Sequence, residues 1–258
     1  MSPDILLEQT QWDTHWVPPE TTIIDRPELL CLSHPSGSPP LNAACRLRAP
    51  DPDLDALIAE VSAQHTGWTS RIPVTPQTRR PALLAALRRA GYAPGHAHDG
   101  YTIATDTPRR PIAAGLTIKR VEDLPTLRDA ITITNLAFNR DQRPDPDALD
   151  GWLRGCAPED GRVHRFVIYA ADDEPLTTGG MTTYPDLDFA FLWAGGTTPA
   201  GRSRGAYSAL VTARLQQARA HNIAACGLYA RLDTSAPIVA AQGFARHGRM
   251  VFWDRPAP

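Results

Sequence analysis

The chain has 258 residues, 42% of them hydrophobic and 21% charged, which is a globular composition with room for one large domain or two small ones. A formal net charge of -2 offers no basic surface to nucleic acid or an acidic membrane, and no apolar run reaches the ~18 residues of a membrane span. The four cysteines, Cys31, Cys45, Cys156 and Cys226, stand apart from one another; they read as buried free thiols, so with no signal-like N-terminus a cytoplasmic address is expected.

Residues 1 to 20 show no period and read as an irregular lead-in that packs Trp12 and Trp16. Thr21 to Ile24, Leu29 to Ser33 and Leu41 to Leu47 look like short strands, and His34 to Pro40 is a loop by composition. Asp51 to Gln64 carries Leu54, Leu57, Ile58 and Val61 at helical spacing behind an acidic first turn. Trp68 to Val74 alternates as a strand does, and Thr78 to Ala90 is a second helix ending at Gly91-Tyr92. His96 and His98 flank what reads as a Gly-rich turn and are expected in solvent. Tyr101 to Thr105 is the next strand, and Thr107 to Pro111 is a linker by its prolines and charge.

Beyond the linker, Leu116 to Arg120 starts a strand and Val121 to Asn139 a helix with Leu124, Leu127, Ile131 and Leu136 as apolar positions. A polar break precedes a short helix at Asp147 to Arg154. Phe166 to Ala171 and Leu176 to Tyr184 read as strands joined by a turn, and Asp186-Leu187-Asp188 turns into an apolar strand from Phe189 to Ala194. A Gly/Thr/Pro break follows, then a loop carrying Arg202 and Arg204, then an amphipathic helix with Ala206, Leu210, Ala213, Leu215 and Ala218 as its apolar positions. A helix start after a Gly/Arg loop gathers partnerless N–H donors and partial positive charge at one spot, which suits a diphosphate. The two guanidinium groups add forked donors.

That loop, Arg202-Ser203-Arg204-Gly205-Ala206-Tyr207, resembles the acyl-CoA loop of the GNAT superfamily of N-acetyltransferases, whose pattern is Arg/Gln-x-x-Gly-x-Gly/Ala. Tyr207 departs from it by replacing the final small residue. Further on, a strand at Ala225 to Ala230, a short helix from Asp233 to Gln242 and the stop Gly243-Phe244 are similar to the family's last helix and terminal Gly-Phe. A closing strand follows from Arg246 to Trp253. The fold class this implies is α/β (α+β): the GNAT acyl-CoA N-acyltransferase fold, a mixed, mostly antiparallel sheet flanked by helices. Strand, helix, strand, helix and Gly-aromatic recur in the first half, where Gly91-Tyr92 matches Gly243-Phe244. The chain therefore reads as duplicated, with a degenerate partial unit over 1–108 and a fuller one over 109–258. The first unit has Ala49-Pro50-Asp51-Pro52-Asp53 in place of the cofactor loop; with carboxylates and no glycine or cation, that segment repels a diphosphate.

By the resemblance, acetyl-CoA is the acyl donor and a primary amine of a small molecule or exposed peptide is the acceptor, with no metal, nucleic-acid or membrane partner. Backbone groups from Ala194, Gly195, Gly196 and Thr197 would hold the pantetheine arm where two strands part. Arg202, Ser203, Arg204, Gly205, Ala206, Tyr207 and Ser208 would take the diphosphate. Gly195-Gly196 suggests a bulge where backbone approaches ligand closely. The family's tyrosine proton donor, five residues before the terminal Phe, falls on Val239, and its mid-strand glutamate has no counterpart among Phe189, Phe191 and Trp193. Ser235 and Tyr229 are left as side chains for the thiolate, each with a structural reading as cap or strand residue, and Ser235 is the candidate catalytic residue. Trp152, Tyr184, Phe191, Trp193 and Trp68 are available to an acceptor pocket, core packing being the alternative. The missing acid and base also admit a catalytically weak CoA-binding sensor or interaction module. The loop lacks the Gly-Lys-Ser/Thr of a nucleoside triphosphatase.

Overall fold

The structure, a computed structural model, describes residues 1–156 and 161–257. It divides into two compact units, the first of Met1–Tyr101, Tyr229–Ala240 and Arg246–Pro258 and the second of Thr102–Leu228 and Ala241–Ala245.

The first unit opens on a helix, α1 (Pro3–Gln9), and not on irregular chain. Pro3 sits in its first turn beside Asp4, both favourable at a helix start, and Leu7 is wholly buried. A helix of this length spans too few turns for a hydrophobic period to show. Of the two lead-in tryptophans, Trp12 lies beneath the guanidinium groups of Arg46 and Arg48 at 5.3 and 5.0 Å, whereas Trp16 is 55% exposed. Strands β1 (Thr22–Arg26), β2 (Leu29–Ser33) and β3 (Ala44–Cys45) form a three-stranded antiparallel sheet. The strand expected over Leu41 to Leu47 shrinks to two residues, because Pro39–Leu41 winds into a 3-10 turn and Arg46 takes φ 57°. Helices α2 (Leu54–Gln64) and α3 (Pro81–Arg89) and strand β4 (Ser70–Val74) follow in the expected order. Strand β5 (Ala93–Ala104) begins well before Tyr101 and absorbs His96 and His98 into extended backbone. His96 is exposed as expected, whereas His98 is half-buried against Phe252 and burial holds its pKa below the ordinary value; extended strand stands where a turn was expected. The apolar core of this unit gathers Leu29, Leu54, Ile58, Val61, Leu83 and Leu87, with Trp253.

The second unit starts on the edge strand β6 (Thr117–Arg120). Helix α4 (Leu124–Phe138) begins where Asp123 accepts a hydrogen bond from the Thr126 N–H at 2.8 Å and ends at Asn139, which takes φ 50°. Helix α5 (Pro146–Gly155) is capped likewise by Asp145. Strands β7 (Val163–Tyr169), β8 (Pro175–Tyr184) and β9 (Phe189–Thr197) make the antiparallel meander, β6 pairing with β7. Helix α6 (Ala206–Ala220) leads to β10 (Ala225–Arg231), which runs parallel to β9. Helix α7 (Ala236–Ala241) and strand β11 (Ala245–Arg255) close the chain. In the first unit β11 lies between β4 and β5.

Helix α6 is not amphipathic as its apolar spacing suggests: it is buried almost all round, and the buried set includes Arg214 at 1% exposure. All four cysteines are free thiols, three of them buried. Burial pushes Cys31, Cys45 and Cys226 up to about 12, so none is a poised nucleophile.

Candidate functional site

The site is built where β9 stops being regular. Its register with β8 pairs Thr178 with Gly196 and Gly180 with Trp193, so Ala194 and Gly195 face Gly179 alone. This two-against-one count is a β-bulge, and Ala194 takes φ 49° within it. Glycine opposite keeps the approach close: a Cβ on Gly179 would stand 3.1 Å from Gly195 Cα and 3.0 Å from Leu210, tighter than most side chains tolerate. On the other flank, β9 and β10 pair only through Phe189↔Ala225, Ala190↔Cys226 and Phe191↔Gly227. Beyond Phe191, β9 runs on to Thr197 with β8 as its register partner. The two parallel strands are thus zipped at one end and unpaired at the other.

After β9, Thr198 accepts a hydrogen bond from the Gly201 N–H at 3.1 Å and winds Pro199–Gly201 into a 3-10 turn. Gly201 is buried so close to Leu176 that a Cβ would lie 2.8 Å from its carbonyl oxygen. The chain then turns out to solvent through Arg202, Ser203, Arg204 and Gly205, all exposed. Ser203 takes φ 61° and Gly205, the residue before α6, takes φ 80°, the left-handed region that glycine alone enters freely. The first intrahelical bond runs from Ala209 N–H to Gly205 O. The N–H groups of Ala206, Tyr207 and Ser208 therefore have no acceptor among the described residues, which is the arrangement that holds anions.

Three cations border this turn, and the sequence reading found two. Arg202 is exposed with no carboxylate partner among the described residues, while Arg204 reaches Glu174 at 3.3 Å. The third is Arg109, which donates to the backbone carbonyl and the side-chain oxygen of Gln242, and to the Ser208 hydroxyl at 3.4 Å in the first turn of α6. Its place among the prolines of the linker gave it no local signal.

Beneath the bulge lies Arg214. Its Nη1 reaches the Gly180 carbonyl at 3.5 Å, and its Nε and Nη2 have no hydrogen-bond acceptor among the described residues. Burial holds this guanidinium below its ordinary value, offset in part by Tyr207 and Cys226, and no carboxylate contributes. The Tyr207 ring sits 6.0 Å from the guanidinium carbon, and a Cβ on Gly195 would lie 3.6 Å from its hydroxyl. So the tyrosine that breaks the family pattern leans from the loop toward the bulge.

Ala194, Gly195, Gly196, Thr197 and the segment from Arg202 to Ser208 all lie in the second unit, joined by β9 and the turn that follows it. Ser235 lies in the first unit, where its Oγ accepts from the Arg231 N–H at 2.9 Å just before α7. Val239 is buried, and Tyr229 is pushed above the ordinary tyrosine range by burial. Asp188 accepts from the Ala224 N–H at 2.7 Å and so serves the turn. Trp193 donates its Nε1–H to Thr182 at 3.0 Å, and Trp152 is 42% exposed. Among the described residues no group of His, Cys, Asp and Glu is arranged to hold a metal ion, and no helix is long and apolar enough to cross a membrane.

A mostly antiparallel meander, a bulged strand parting from a parallel neighbour and a glycine-led helix start define the GNAT acyl-CoA N-acyltransferase fold, and this chain has it. By sequence the chain matches no protein-family model and no curated protein. By structure it is similar to a GCN5-related N-acetyltransferase from Kribbella flavida, with TM-score 0.69 and 17% identity over 100% of this chain and 96% of that one. A tandem GNAT protein from the clavulanic acid biosynthesis pathway matches with TM-score 0.63 and 14% identity over 99% and 94% of the two chains. A GCN5-related N-acetyltransferase from Sphaerobacter thermophilus gives TM-score 0.63 and 16% identity over 92% and 76%. At these identities the likeness is one of fold.

Proposed function

We propose that the chain is an acyl-CoA-dependent N-acyltransferase that moves an acetyl or related acyl group to a primary amine of a small molecule or exposed peptide. One observation carries the reading. The exposed turn at Gly205 offers three acceptorless N–H groups directly downstream of a strand that is bulged and has left its parallel partner. A diphosphate on that turn, helped by Arg202, Arg204 and Arg109, would let the pantetheine arm lie along β9 from Thr197 to Ala194. The acceptor class and acetyl-CoA as donor come from the likeness to acetyltransferases. The free, unreactive thiols suit a reducing compartment such as the cytoplasm.

Chemistry in such a site rests on holding amine and thioester together, which by itself supplies much of the rate. Backbone N–H groups near the bulge would polarise the carbonyl. Ser235 is retained as the donor of a proton to the leaving thiolate on its sequence position alone. The degenerate role of 1–108 and the acyltransferase role of 109–258 belong to the same proposal.

Calorimetry with CoA and ATP side by side, then thiol release from acetyl-CoA across an amine panel, tests it. Saturable CoA binding that Arg202→Ala/Arg204→Ala abolishes, with acylated product, is the expected outcome; ATP bound as tightly as CoA overturns the reading. A second reading, a CoA-binding module without turnover, draws on Val239 at the proton-donor position. Binding without thiol release for any amine would select it.

A further inference from the structure

The first unit carries a feature that acyl transfer does not use. Arg79, Asp99, Arg246, His247 and Arg249 line an open pocket of about 430 Å³. Asp99 is its floor: the side chain is 2% exposed and pairs with the Nε of Arg246 at 2.5 Å and the Nε of Arg249 at 2.9 Å. A buried carboxylate must be paired, and one arginine would suffice. Here two approach it: Arg249 donates its Nε–H to Oδ1, while Arg246 stands at ion-pair distance from Oδ2 without a hydrogen bond, and the Nη groups of both have no hydrogen-bond acceptor among the described residues. Arg79 is exposed and has no carboxylate partner there either. Asp4 accepts from the Gly248 N–H at 2.8 Å and does not line the pocket. Three guanidinium groups against one carboxylate leave an excess of two positive charges around a concave opening.

We propose that this pocket binds a small phosphomonoester dianion. Arg249, anchored at Nε on the buried carboxylate, and Arg246, held beside it by charge, keep their Nη groups for phosphate oxygens, and Arg79 supplies the further charge that a monoanion would not need. The pocket is larger than phosphate alone, so the remainder of the ligand lies beside it. The same headgroup chemistry occurs on a phospholipid, and the test separates the two sources.

The experiment follows the arginine Nε–H signals of the full chain by NMR during titration with inorganic phosphate and glycerol 3-phosphate, in parallel with Arg202→Gln, Arg79→Gln, Arg249→Gln and Arg110→Gln chains. Saturable shifts confined to Arg79, Arg246 and Arg249 are expected. They should persist in Arg202→Gln and Arg110→Gln, and affinity should fall roughly tenfold in Arg79→Gln and in Arg249→Gln, as for loss of a charge-assisted contact. Persistence in Arg202→Gln keeps the outcome independent of the acyl-CoA loop. Non-saturating drift shared with Arg110, unchanged affinity in both pocket variants, or binding to phosphatidic acid vesicles without binding to glycerol 3-phosphate would each overturn the proposal.

Discussion

Arg214 spends its charge inside the second unit, where among the described residues no carboxylate contributes and two of its nitrogens have no hydrogen-bond acceptor. Removing an ion from water costs several kcal/mol, and only a paired counter-charge recovers it. An apolar side chain of similar length should therefore be tolerated better than the native one. We expect Arg214→Met to stabilise the chain by roughly 1–2 kcal/mol, raising Tm by about 3–6 °C in a thermal melt; a lower Tm would show that the guanidinium is compensated. His164 is a second buried group, its ring nitrogens also without a hydrogen-bond partner among the described residues, but one that can lose its charge. It is 1% exposed, beside His221 at a ring separation of 4.7 Å, and burial with Arg120 pushes its pKa down to about 4. A group with its folded pKa below its unfolded value contributes stability that is intact above the unfolded pKa and is lost as pH falls through the folded one. For a histidine that window runs from the ordinary value of 6.5 down to about 4. From pH 7 to pH 5 the wild type should lose Tm relative to His164→Leu, whichever is the more stable at pH 7; a pH-independent difference would exclude protonation of this ring as a source of acid instability.

At the scale of elements, the turn before α6 joins two separate requirements, a backbone that only glycine adopts freely and charges that attract a diphosphate. Gly205→Ala forces φ 80° on a residue with a Cβ, a strain of about 1–2 kcal/mol. CoA affinity should drop roughly tenfold by calorimetry as the three N–H groups lose alignment. On the proposed reading Glu174 competes with the diphosphate, since it holds Arg204 at 3.3 Å in a half-exposed pair. Such pairs contribute little to stability, so Glu174→Gln should leave Tm unchanged and tighten CoA binding about two- to fivefold at low salt, the gain fading as salt screens it. This element was legible in the sequence because glycine and arginine before an apolar helix have a direct backbone and charge meaning. The bulge was half legible. Gly195-Gly196 marked a close approach, yet the strained residue is Ala194, and the glycine that makes room is Gly179 on the neighbouring strand. Partners across a sheet leave no trace in local spacing. Arg214 was illegible for a related reason: a charged residue in a helix reads as solvent-facing, and only the packing of α6 on all sides places it inside. Arg109 came from a linker, where composition signals a loop and says nothing about what that loop leans on.

For the whole molecule, the duplicated fold raises the question of how many cofactor molecules one chain holds. In the first unit, the segment that the proposed duplication sets against the cofactor loop forms a 3-10 turn, Asp51–Asp53, in front of α2. Its capping residue, Asp53, has φ -94°, so the left-handed glycine that opens α6 has no counterpart there. Asp51 is committed to Arg80 at 2.7 Å, which uses the adjacent cation to neutralise a carboxylate and leaves none for a ligand. Asp53 makes no side-chain cap bond, but it and Asp51 place carboxylates directly before α2, so a diphosphate there would face like charge at short range. One CoA per chain is the expected calorimetric stoichiometry. Asp51→Asn/Asp53→Asn should leave that number unchanged, because removing the repulsion does not supply the missing glycine turn. Arg202→Ala/Arg204→Ala should abolish the only binding step. A stoichiometry of two, or a residual site of undiminished affinity in the Arg202→Ala/Arg204→Ala chain, would mean that the first unit binds cofactor by a geometry unrelated to the turn at Gly205.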